Sequence, residues 1–154
     1  NGSIGSSSNV RAVLQRVLKA KVSVAGEVVG QIDQGILAFV CAMDNEEPDL
    51  EWWAKRLTHL RCFPDDSGRM HRSLIDVGGH LLLVSQFTLA DDGRKGLRPS
   101  FSRASDPHLA NQQLTQLADR CRSYLTRVET GRFGADMQVE MINNGPVTLV
   151  IDHV

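Results

Sequence analysis

Hydrophobic and polar residues alternate from Arg11 onward, which predicts that the chain begins its fold with β-strands. In RAVLQRVL the side chains fall on two faces with a period of two, the spacing of a half-buried strand. KVSVAGEVVGQI continues this pattern, and Ala25-Gly26 marks a tight connection between two strands. GILAFVCAM is almost continuously apolar, which predicts a buried central strand.

The hydrophobic period changes after Pro48, which predicts the first of two helices. Leu50, Trp53, Leu57 and Leu60 recur at spacings of three and four, as on the apolar face of an amphipathic helix. HLLLVSQFTL then predicts a second long, apolar strand. Ser105-Asp106-Pro107 is typical of a helix start. The apolar stripe expected on this second helix consists of Leu109, Leu114, Leu117, Cys121 and Leu125.

The last part of the chain contains two alternating runs separated by Asn143-Asn144-Gly145-Pro146. Asn and Gly tolerate positive φ, and Pro fixes φ near about −65°. We therefore predict a hairpin turn joining two closing strands.

The order of these elements is strands, helix, strand, helix, strands, which favours a mixed α/β fold. We predict a single domain with a β-barrel-like sheet core and two main flanking helices. The length of 154 residues and the 42% hydrophobic content support one domain with a real core. Residues 1–9 are rich in Ser and Gly and are interpreted as a disordered leader, which leaves residues 10–154 as the domain.

Charge and cysteine usage narrow the class of protein. The net charge of −1 and the pI near 6.6 argue against a global basic field for nucleic acid, although a local basic patch is still possible. The three cysteines have no CxxC spacing, and Cys41 and Cys121 are expected to be buried as small hydrophobes. These features predict a reduced, cytoplasmic compartment and no membrane span.

Known catalytic patterns are largely missing from the sequence. The five histidines are scattered without an HExxH or paired Cys/His spacing, so no metal site is predicted. No phosphate-binding loop of Walker or GxGxxG type occurs, and Ser85 is not part of a GxSxG elbow. None of the cysteines has the electropositive, accessible surroundings of a nucleophile.

Two polar stretches are unusual for their positions. VSQFTL carries Ser85, Gln86 and Thr88 at the end of an apolar strand, where an unpaired buried polar group costs about 1–3 kcal/mol. Taken alone, this stretch is better explained by a strand that runs out into a loop. The second stretch is a basic cluster beside an aromatic residue, for which a solvated loop is the alternative. Its members are Arg94, Lys95, Arg98, Phe101 and Arg103.

Five segments together resemble one family. LQRV, VSQFTL, KGLRPSF, GRFGADMQV and NNGPVT occur in the order and at the distances found in the D-aminoacyl-tRNA deacylases, also called D-tyrosyl-tRNA(Tyr) deacylases. The resemblance runs from about Arg11 to Val154, and SQFT and NxGPVT are the two signature motifs of that family. The Phe-Thr and Pro-Val-Thr residues in these motifs are similar to the bacterial and general eukaryotic type.

The resemblance implies a cytoplasmic homodimer with each active site at the subunit interface. Such an enzyme hydrolyses the ester that joins a D-amino acid, or glycine mischarged onto tRNA(Ala), to the terminal adenosine of tRNA. It removes D-amino acids from translation and needs no metal or organic cofactor.

The resemblance also implies roles for individual residues. Ser85, Gln86 and Thr88 would be catalytic, and Phe87 would bind the substrate beside them. Gly145-Pro146 would form a Gly-cis-Pro motif that enters the partner subunit's pocket and rejects L-amino acids, with Arg16 holding the motif. The adjoining pocket wall would consist of Phe133, Gly134, Ala135 and Met137. The candidate contacts to the acceptor end of tRNA are Arg94, Lys95 and Arg98.

Two chemical accounts fit these residues. Thr88 could be a nucleophile, although the motif contains no evident base to activate it. Alternatively, the ribose 2′-hydroxyl of the substrate helps to activate water while Gln86 and backbone N–H groups orient the carbonyl, and we favour this account. A non-catalytic nucleic-acid-binding module and a hydrolase of small esters using Thr88 or Ser85 are the competing functions.

Overall fold

The computed structural model describes residues 8–94 and 96–154, which form eight strands and three α-helices. In chain order these elements are β1 (Val10–Val24), β2 (Glu27–Ile32), β3 (Gly35–Ala42), α1 (Leu50–His59), β4 (Phe63–Pro64), β5 (Met70–Arg72), α2 (Leu74–Val77), β6 (His80–Ser85), α3 (Pro107–Arg122), β7 (Val128–Thr130) and β8 (Gln138–His153). A 3-10 helix, Phe87–Ala90, follows β6 directly.

The main sheet is built around β1. Antiparallel β8 pairs along one side of β1, while β3 and β2 pair with its first and second halves on the other side. Parallel β6 and β7 extend the sheet beyond β3. The backbone of Gly30 on β2 approaches the carbonyl oxygen of Thr130 on β7 so closely that a Cβ atom would not fit. The sheet is therefore nearly closed, which confirms the predicted barrel-like mixed α/β domain.

Two hydrophobic clusters lie on opposite faces of this curved sheet. The inner cluster includes Val17, Ile32, Leu37 and Leu82, which are fully buried. The outer cluster packs the sheet against α1 and α3, the two flanking helices that the sequence predicts. The buried residues that these two helices contribute are Trp53, Ala54, Leu57, Thr58, Gln113, Leu117, Ala118 and Cys121.

The helix starts follow their sequence signals. The Asp106 carboxylate accepts a hydrogen bond from the His108 N–H at the start of α3, with Pro107 in the first turn. The Asp49 carboxylate caps α1 in the same way. The short helix α2 is an addition to the prediction, and its capping box consists of Ser73 and Asp76. No helix in the described ranges has the length and hydrophobicity to span a bilayer.

The predicted closing hairpin is wrong, because β8 is one continuous strand that passes through Asn143–Pro146. Both of its halves pair with β1, and the pairing register shifts on either side of Val17. Residues Asn144–Val147 have no ladder partner and face only Arg16, so they form a bulge. The chain continues in the same direction because β1 is long enough to pair with both alternating runs.

The predicted strand 80–89 is also too long, since β6 ends at Ser85. The following residues turn into the 3-10 helix, in which the Leu89 N–H donates to Gln86 O at 3.3 Å. The alternation of polar and apolar residues in SQFTL therefore reflects a bend at the strand end and not continued pairing.

The first described residues hydrogen-bond with the sheet. The N–H of Asn9 donates to His153 O at 3.0 Å, and the N–H of Met43 donates to Asn9 O at 2.7 Å. Ser8 O accepts a hydrogen bond from the Arg103 guanidinium at 3.1 Å. Residues 1–7 of the expected leader lie outside the described residues.

Candidate active site

A pocket of about 380 Å³ opens beside the end of β6. Seven of the residues that the sequence analysis singled out line it together, namely Ser85, Gln86, Phe87, Phe133, Gly134, Ala135 and Met137. The end of β3, the start of α3 with Ala104 and Ser105 before it, and the start of β8 contribute most of the remaining wall. Tertiary structure thus unites SQF and FGADM, which are far apart in sequence.

Three neighbours hold the turn that carries these residues. The Gln86 N–H donates to Val40 O at 2.9 Å, which anchors the turn to β3. The Cys41 thiol donates to Phe87 O at 3.6 Å, and the Arg11 guanidinium donates to Leu89 O at 2.7 Å. The backbone of the turn is therefore fixed on both sides, as a preorganised site requires.

Gln86 and Thr88 are in direct contact. The Gln86 Nε2 donates to Thr88 Oγ1 at 2.6 Å. Thr88 is exposed and is not among the described residues that line the pocket. Its hydroxyl accepts a hydrogen bond from a neutral amide, and an amide is too weak a base to take the proton of a hydroxyl nucleophile.

Aromatic and glycine residues shape the pocket rim. The exposed Phe87 ring meets Phe101 edge to face, with ring centroids 5.1 Å apart. On the opposite wall Gly134 has φ +77°, a conformation that favours glycine in the turn before β8. The Ala135 N–H closes this turn by donating to Arg132 O at 3.2 Å.

Arg16, Gly145 and Pro146 lie elsewhere, at the bulge of β8. The Arg16 guanidinium donates through Nε to Asn144 O at 2.9 Å and through Nη1 to Cys62 O at 2.6 Å. Within the described ranges, none of the three lines the pocket of the same chain. One arginine therefore connects the bulge to the segment that follows α1.

The bulge is held internally by Asn143. Its amide oxygen accepts from the Val147 N–H at 2.7 Å, and its amide nitrogen donates to Val147 O at 3.1 Å. Gly145 has φ +140°, and a Cβ atom there would lie 2.9 Å from Arg16 Nη2. The Gly145–Pro146 peptide bond is cis, and both residues are exposed.

A sequence profile of the D-Tyr-tRNA(Tyr) deacylase family matches residues 13–152. The chain belongs to this family. Proteins named D-aminoacyl-tRNA deacylase are similar over nearly the whole chain. The one from Pseudomonas putida is 50% identical over 146 residues, covering 92% of this chain and 99% of the relative. The one from Thermosipho africanus is 46% identical over 144 residues, covering 93% and 97%.

Two solved structures share the fold of this deacylase-family chain. One is described as c-Myc DNA unwinding element binding protein, with a TM-score of 0.85, 34% identity and coverage of 92% of this chain and 97% of the other. The other is described as a "probable eukaryotic D-amino acid tRNA deacylase", with a TM-score of 0.82, 16% identity and coverage of 94% and 99%. At 16% identity the second likeness supports the fold alone.

The loop that carries the predicted basic cluster, residues 94–103, has some cations that could contact an anion and one that is already closely paired. Arg94 lies 3.6 Å from the Asp92 carboxylate and is largely exposed, and Arg98 is exposed. Arg103 instead pairs with Asp44 at 2.6 Å, so its role is structural. Lys95 lies outside the described residues.

The cysteines of this deacylase-family chain are buried, as the sequence predicts for Cys41 and Cys121. Although Cys41 lines the pocket, burial raises the pKa of its thiol to about 11. Burial likewise raises the pKa of Cys121 to about 12. Both thiols are therefore neutral near pH 7, which argues against a cysteine nucleophile.

Three residues at the site were missed by the sequence analysis. Arg11 holds the 3-10 helix, and Asn143 closes the bulge. Asp136 is the one carboxylate among the described residues that line the pocket. Asp136 could have been suspected from its place inside GRFGADM. The contacts of Arg11 and Asn143 cannot be recognised before the fold is known.

Proposed function

We propose that this chain hydrolyses the ester bond of D-aminoacyl-tRNA and releases a free D-amino acid and tRNA. The observation that carries the proposal is the pocket in which Ser85, Gln86 and Phe87 meet the Phe133–Met137 wall. The names of the relatives at 46–50% identity support the same activity. The enzyme acts in the cytoplasm, as part of translation quality control.

The pocket suits the end of an aminoacyl-tRNA. Its volume of about 380 Å³ lies within the usual range for small-molecule sites, about 300–1,000 Å³. Its wall is mainly apolar, with a few polar groups to orient a substrate. The exposed ring of Phe87 offers an aromatic surface to the unstacked terminal adenine.

Hydrolysis in this pocket relies on orientation and electrostatic stabilisation. An aminoacyl ester is already activated, so the barrier to be lowered is modest. Gln86 and neighbouring backbone N–H groups orient the ester carbonyl, and the ribose 2′-hydroxyl of the substrate helps to activate the attacking water. Among the described residues, the side chain that hydrogen-bonds Thr88 Oγ1 is the Gln86 amide, which is not a base, and this contact favours the account in which Thr88 is not the nucleophile.

Chiral selection comes from Gly145-Pro146 of the partner subunit. A backbone feature held by Arg16 and Asn143 presents fixed acceptors and a fixed steric wall, which a side-chain rotamer cannot do. An L side chain would clash with this wall, whereas a D-amino acid is accepted. Glycine mischarged onto tRNA(Ala) has no side chain to clash, so it is also hydrolysed.

Homodimer formation completes the site. Gly145 and Pro146 are exposed, and among the described residues β8 pairs with β1 alone. A long, unpaired edge strand is normally covered by another element or chain. Ile142 and Val150 on this strand are also exposed, at 46% and 66%.

The acceptor end of tRNA reaches the pocket past the basic loop. Arg94, Lys95 and Arg98 are the proposed phosphate contacts, which their sequence proximity to the SQFT turn supports. Binding through phosphates weakens as salt rises. Affinity that is equal at low and high salt would contradict this part of the proposal.

Hydrolysis of D-Tyr-tRNA, L-Tyr-tRNA and a small ester tests the function directly. We expect rapid release of D-tyrosine and no release of L-tyrosine. No hydrolysis of any substrate would indicate a non-catalytic binding module. Hydrolysis of the small ester would indicate a conventional esterase.

Mixing two inactive variants tests whether the site is shared. Gln86→Leu damages the pocket and keeps the bulge, while Gly145→Ala damages the bulge and keeps the pocket. Heterodimers formed by co-refolding contain one intact shared site, so activity is expected to return only in the mixture. A mixture as inactive as either variant would show that each site lies within one chain.

A further inference from the structure

A second surface, at the end of α1, gathers unpaired positive charge. We call this surface the α1 groove, and its volume is about 490 Å³. Its residues are Trp52, Lys55, Arg56, His59, Leu60 and Arg61. The helical spacing explains part of the cluster, because positions three and four apart share a face and Lys55 and His59 are four apart.

The positive charge of the groove is not neutralised by neighbouring carboxylates. Throughout the described ranges, Lys55, Arg56 and Arg61 take part in no ion pair, whereas Arg11, Arg72, Arg103 and other cations do. The nearest acid on the helix, Glu51, pairs with Arg120 of α3 at 3.1 Å. On a chain with a net charge of −1, this is a local basic patch.

The stability of the helix does not account for so many cations. Positive side chains in the last turn complement the helix dipole, and Arg56 and His59 occupy that turn. Lys55 lies before the last turn, and Arg61 lies beyond Leu60, where the helix has ended. Interaction with the helix dipole therefore does not explain the presence of Lys55 and Arg61.

The groove adjoins the bulge of β8 through a single side chain. The Arg16 guanidinium binds both Asn144 O and Cys62 O, and Cys62 directly follows Arg61. The groove and the Gly145-Pro146 dipeptide are therefore on neighbouring parts of one subunit. If the bulge enters the partner's pocket, the groove lies close to the mouth of that same pocket.

We propose that the α1 groove binds backbone phosphates of the tRNA whose 3′ end occupies the partner subunit's pocket. The inference rests on the proposed function, because it takes aminoacyl-tRNA as the substrate. The pocket holds only the end of that molecule, so its helical stem must cross the protein surface nearby. Each active site then consists of the catalytic pocket of one subunit together with the Gly145-Pro146 bulge and the α1 groove of the other subunit.

The recognition is expected to be independent of sequence. Lysine and arginine bind phosphates as charged donors. One face of the Trp52 ring is covered by His153, with ring centroids 3.5 Å apart and planes within 3°. That face cannot stack on a base, which leaves the cations as the main binding groups.

The test compares two double variants with the same change in charge. Lys55→Gln with Arg61→Gln removes groove cations and keeps Arg56 and His59 at the helix end. Arg69→Gln with Arg122→Gln removes two exposed cations elsewhere. Binding of uncharged tRNA is measured by fluorescence anisotropy between 50 and 200 mM salt, and hydrolysis is measured with D-Tyr-tRNA and with the short ester D-tyrosyl-adenosine.

Each phosphate contact contributes a slope of about −0.7 to −0.9 to log K against log salt. The slope of the groove variant, which lacks two such contacts, should therefore be shallower by about 1.4–1.8. Between 50 and 200 mM salt, the affinity of the wild type should then fall by about ten times more than the affinity of the groove variant. The control variant should keep the wild-type slope. Hydrolysis of D-tyrosyl-adenosine should be unchanged in both variants, because this ester has no stem.

Several results would overturn the groove proposal. These are a wild-type salt slope in the groove variant, an equal change in the control variant, or slower hydrolysis of D-tyrosyl-adenosine by the groove variant. Competition by poly-glutamate as strong as that by tRNA would indicate an acidic protein partner instead. If the wild type hydrolyses neither ester but binds tRNA through the groove, the deacylase function fails, while phosphate binding at the groove stands.

Discussion

The arginine that connects the bulge of β8 to the segment after α1 gives the sharpest prediction. Arg16 donates to Asn144 O at 2.9 Å and to Cys62 O at 2.6 Å, using two nitrogens of one planar group. Lysine has a single ammonium nitrogen and cannot reproduce this fork, whereas methionine fills space without any donor. Arg16→Lys and Arg16→Met therefore remove part or all of the link while keeping much of the side-chain volume.

The expected loss of stability follows from these two bonds. A hydrogen bond from a charged donor contributes about 1.5–3 kcal/mol. Since the site is only partly buried, we take the lower value for each bond. Arg16→Met should then lower the free energy of unfolding by about 3 kcal/mol and Arg16→Lys by about half of that.

Activity should fall as well, because the bulge is the proposed chiral filter. A displacement of about 1 Å at a positioned group can cost about 100-fold in rate, so kcat/KM for D-Tyr-tRNA should fall by about this factor in both variants. The assay combines urea unfolding with steady-state hydrolysis at a temperature where each variant is folded. We also expect more hydrolysis of L-Tyr-tRNA relative to D-Tyr-tRNA than in the wild type.

Arg127→Lys is the matched control. Its guanidinium donates to Gln31 O at 2.6 Å on another part of the barrel, so its replacement should reduce stability without a selective effect on activity. A positioning role for Arg16 is refuted if Arg16→Lys keeps kcat/KM within about threefold of the wild type, a difference below 1 kcal/mol. It is also refuted if Arg127→Lys loses as much activity as Arg16→Lys.

Three further predictions concern other parts of the site. The Thr88→Ala variant should keep most of the deacylase activity. If this variant instead binds D-aminoacyl-tRNA normally but no longer hydrolyses it, Thr88 is a nucleophile. Asn143→Ala should lower the free energy of unfolding by about 2–3 kcal/mol in urea, because it removes the bonds that close the bulge; an unchanged midpoint would contradict this. Burial raises the pKa of the Cys41 thiol to about 11 in the folded protein, against 9.0 for an exposed thiol. As the pH rises, the unfolded chain therefore loses the thiol proton before the folded protein does. Stability should therefore fall as the pH rises from about 9 to about 11, and this fall should be smaller in Cys41→Ala if burial of the thiol is its cause.

Local periodicity accounts for most of the fold prediction. The alternation in RAVLQRVL and the spacing of Leu50, Trp53 and Leu57 specify a strand and a helix because each pattern creates one apolar face. The starts of α1 and α3 have local signals as well. Patterns of residues close together in the sequence therefore predicted the class of fold and the two flanking helices.

The two wrong assignments have a common cause. Residues Asn143–Pro146 have the composition of a hairpin turn, yet they bulge out of a continuous strand because β1 offers partners to both neighbouring runs. The end of β6 alternates like a strand, but its last pair with β3 is Ser85 with Val40, and the backbone then turns into the 3-10 helix. In both places the pairing between segments far apart in sequence decided the outcome, and the periodicity of a single sequence carries no information about that pairing.

The sequence alone determined the elements and, through SQFT and NxGPVT, the residues worth testing. Only the tertiary structure decided which of them share a pocket, and it placed Ser85, Gln86 and Phe87 with Phe133–Met137 while leaving Arg16 and Gly145 at the bulge. It also revealed that Arg11 and Asn143 hold these two parts in shape. The physical reason is that secondary structure follows from contacts a few residues apart, whereas a site is formed by contacts between segments that only the closed sheet brings together.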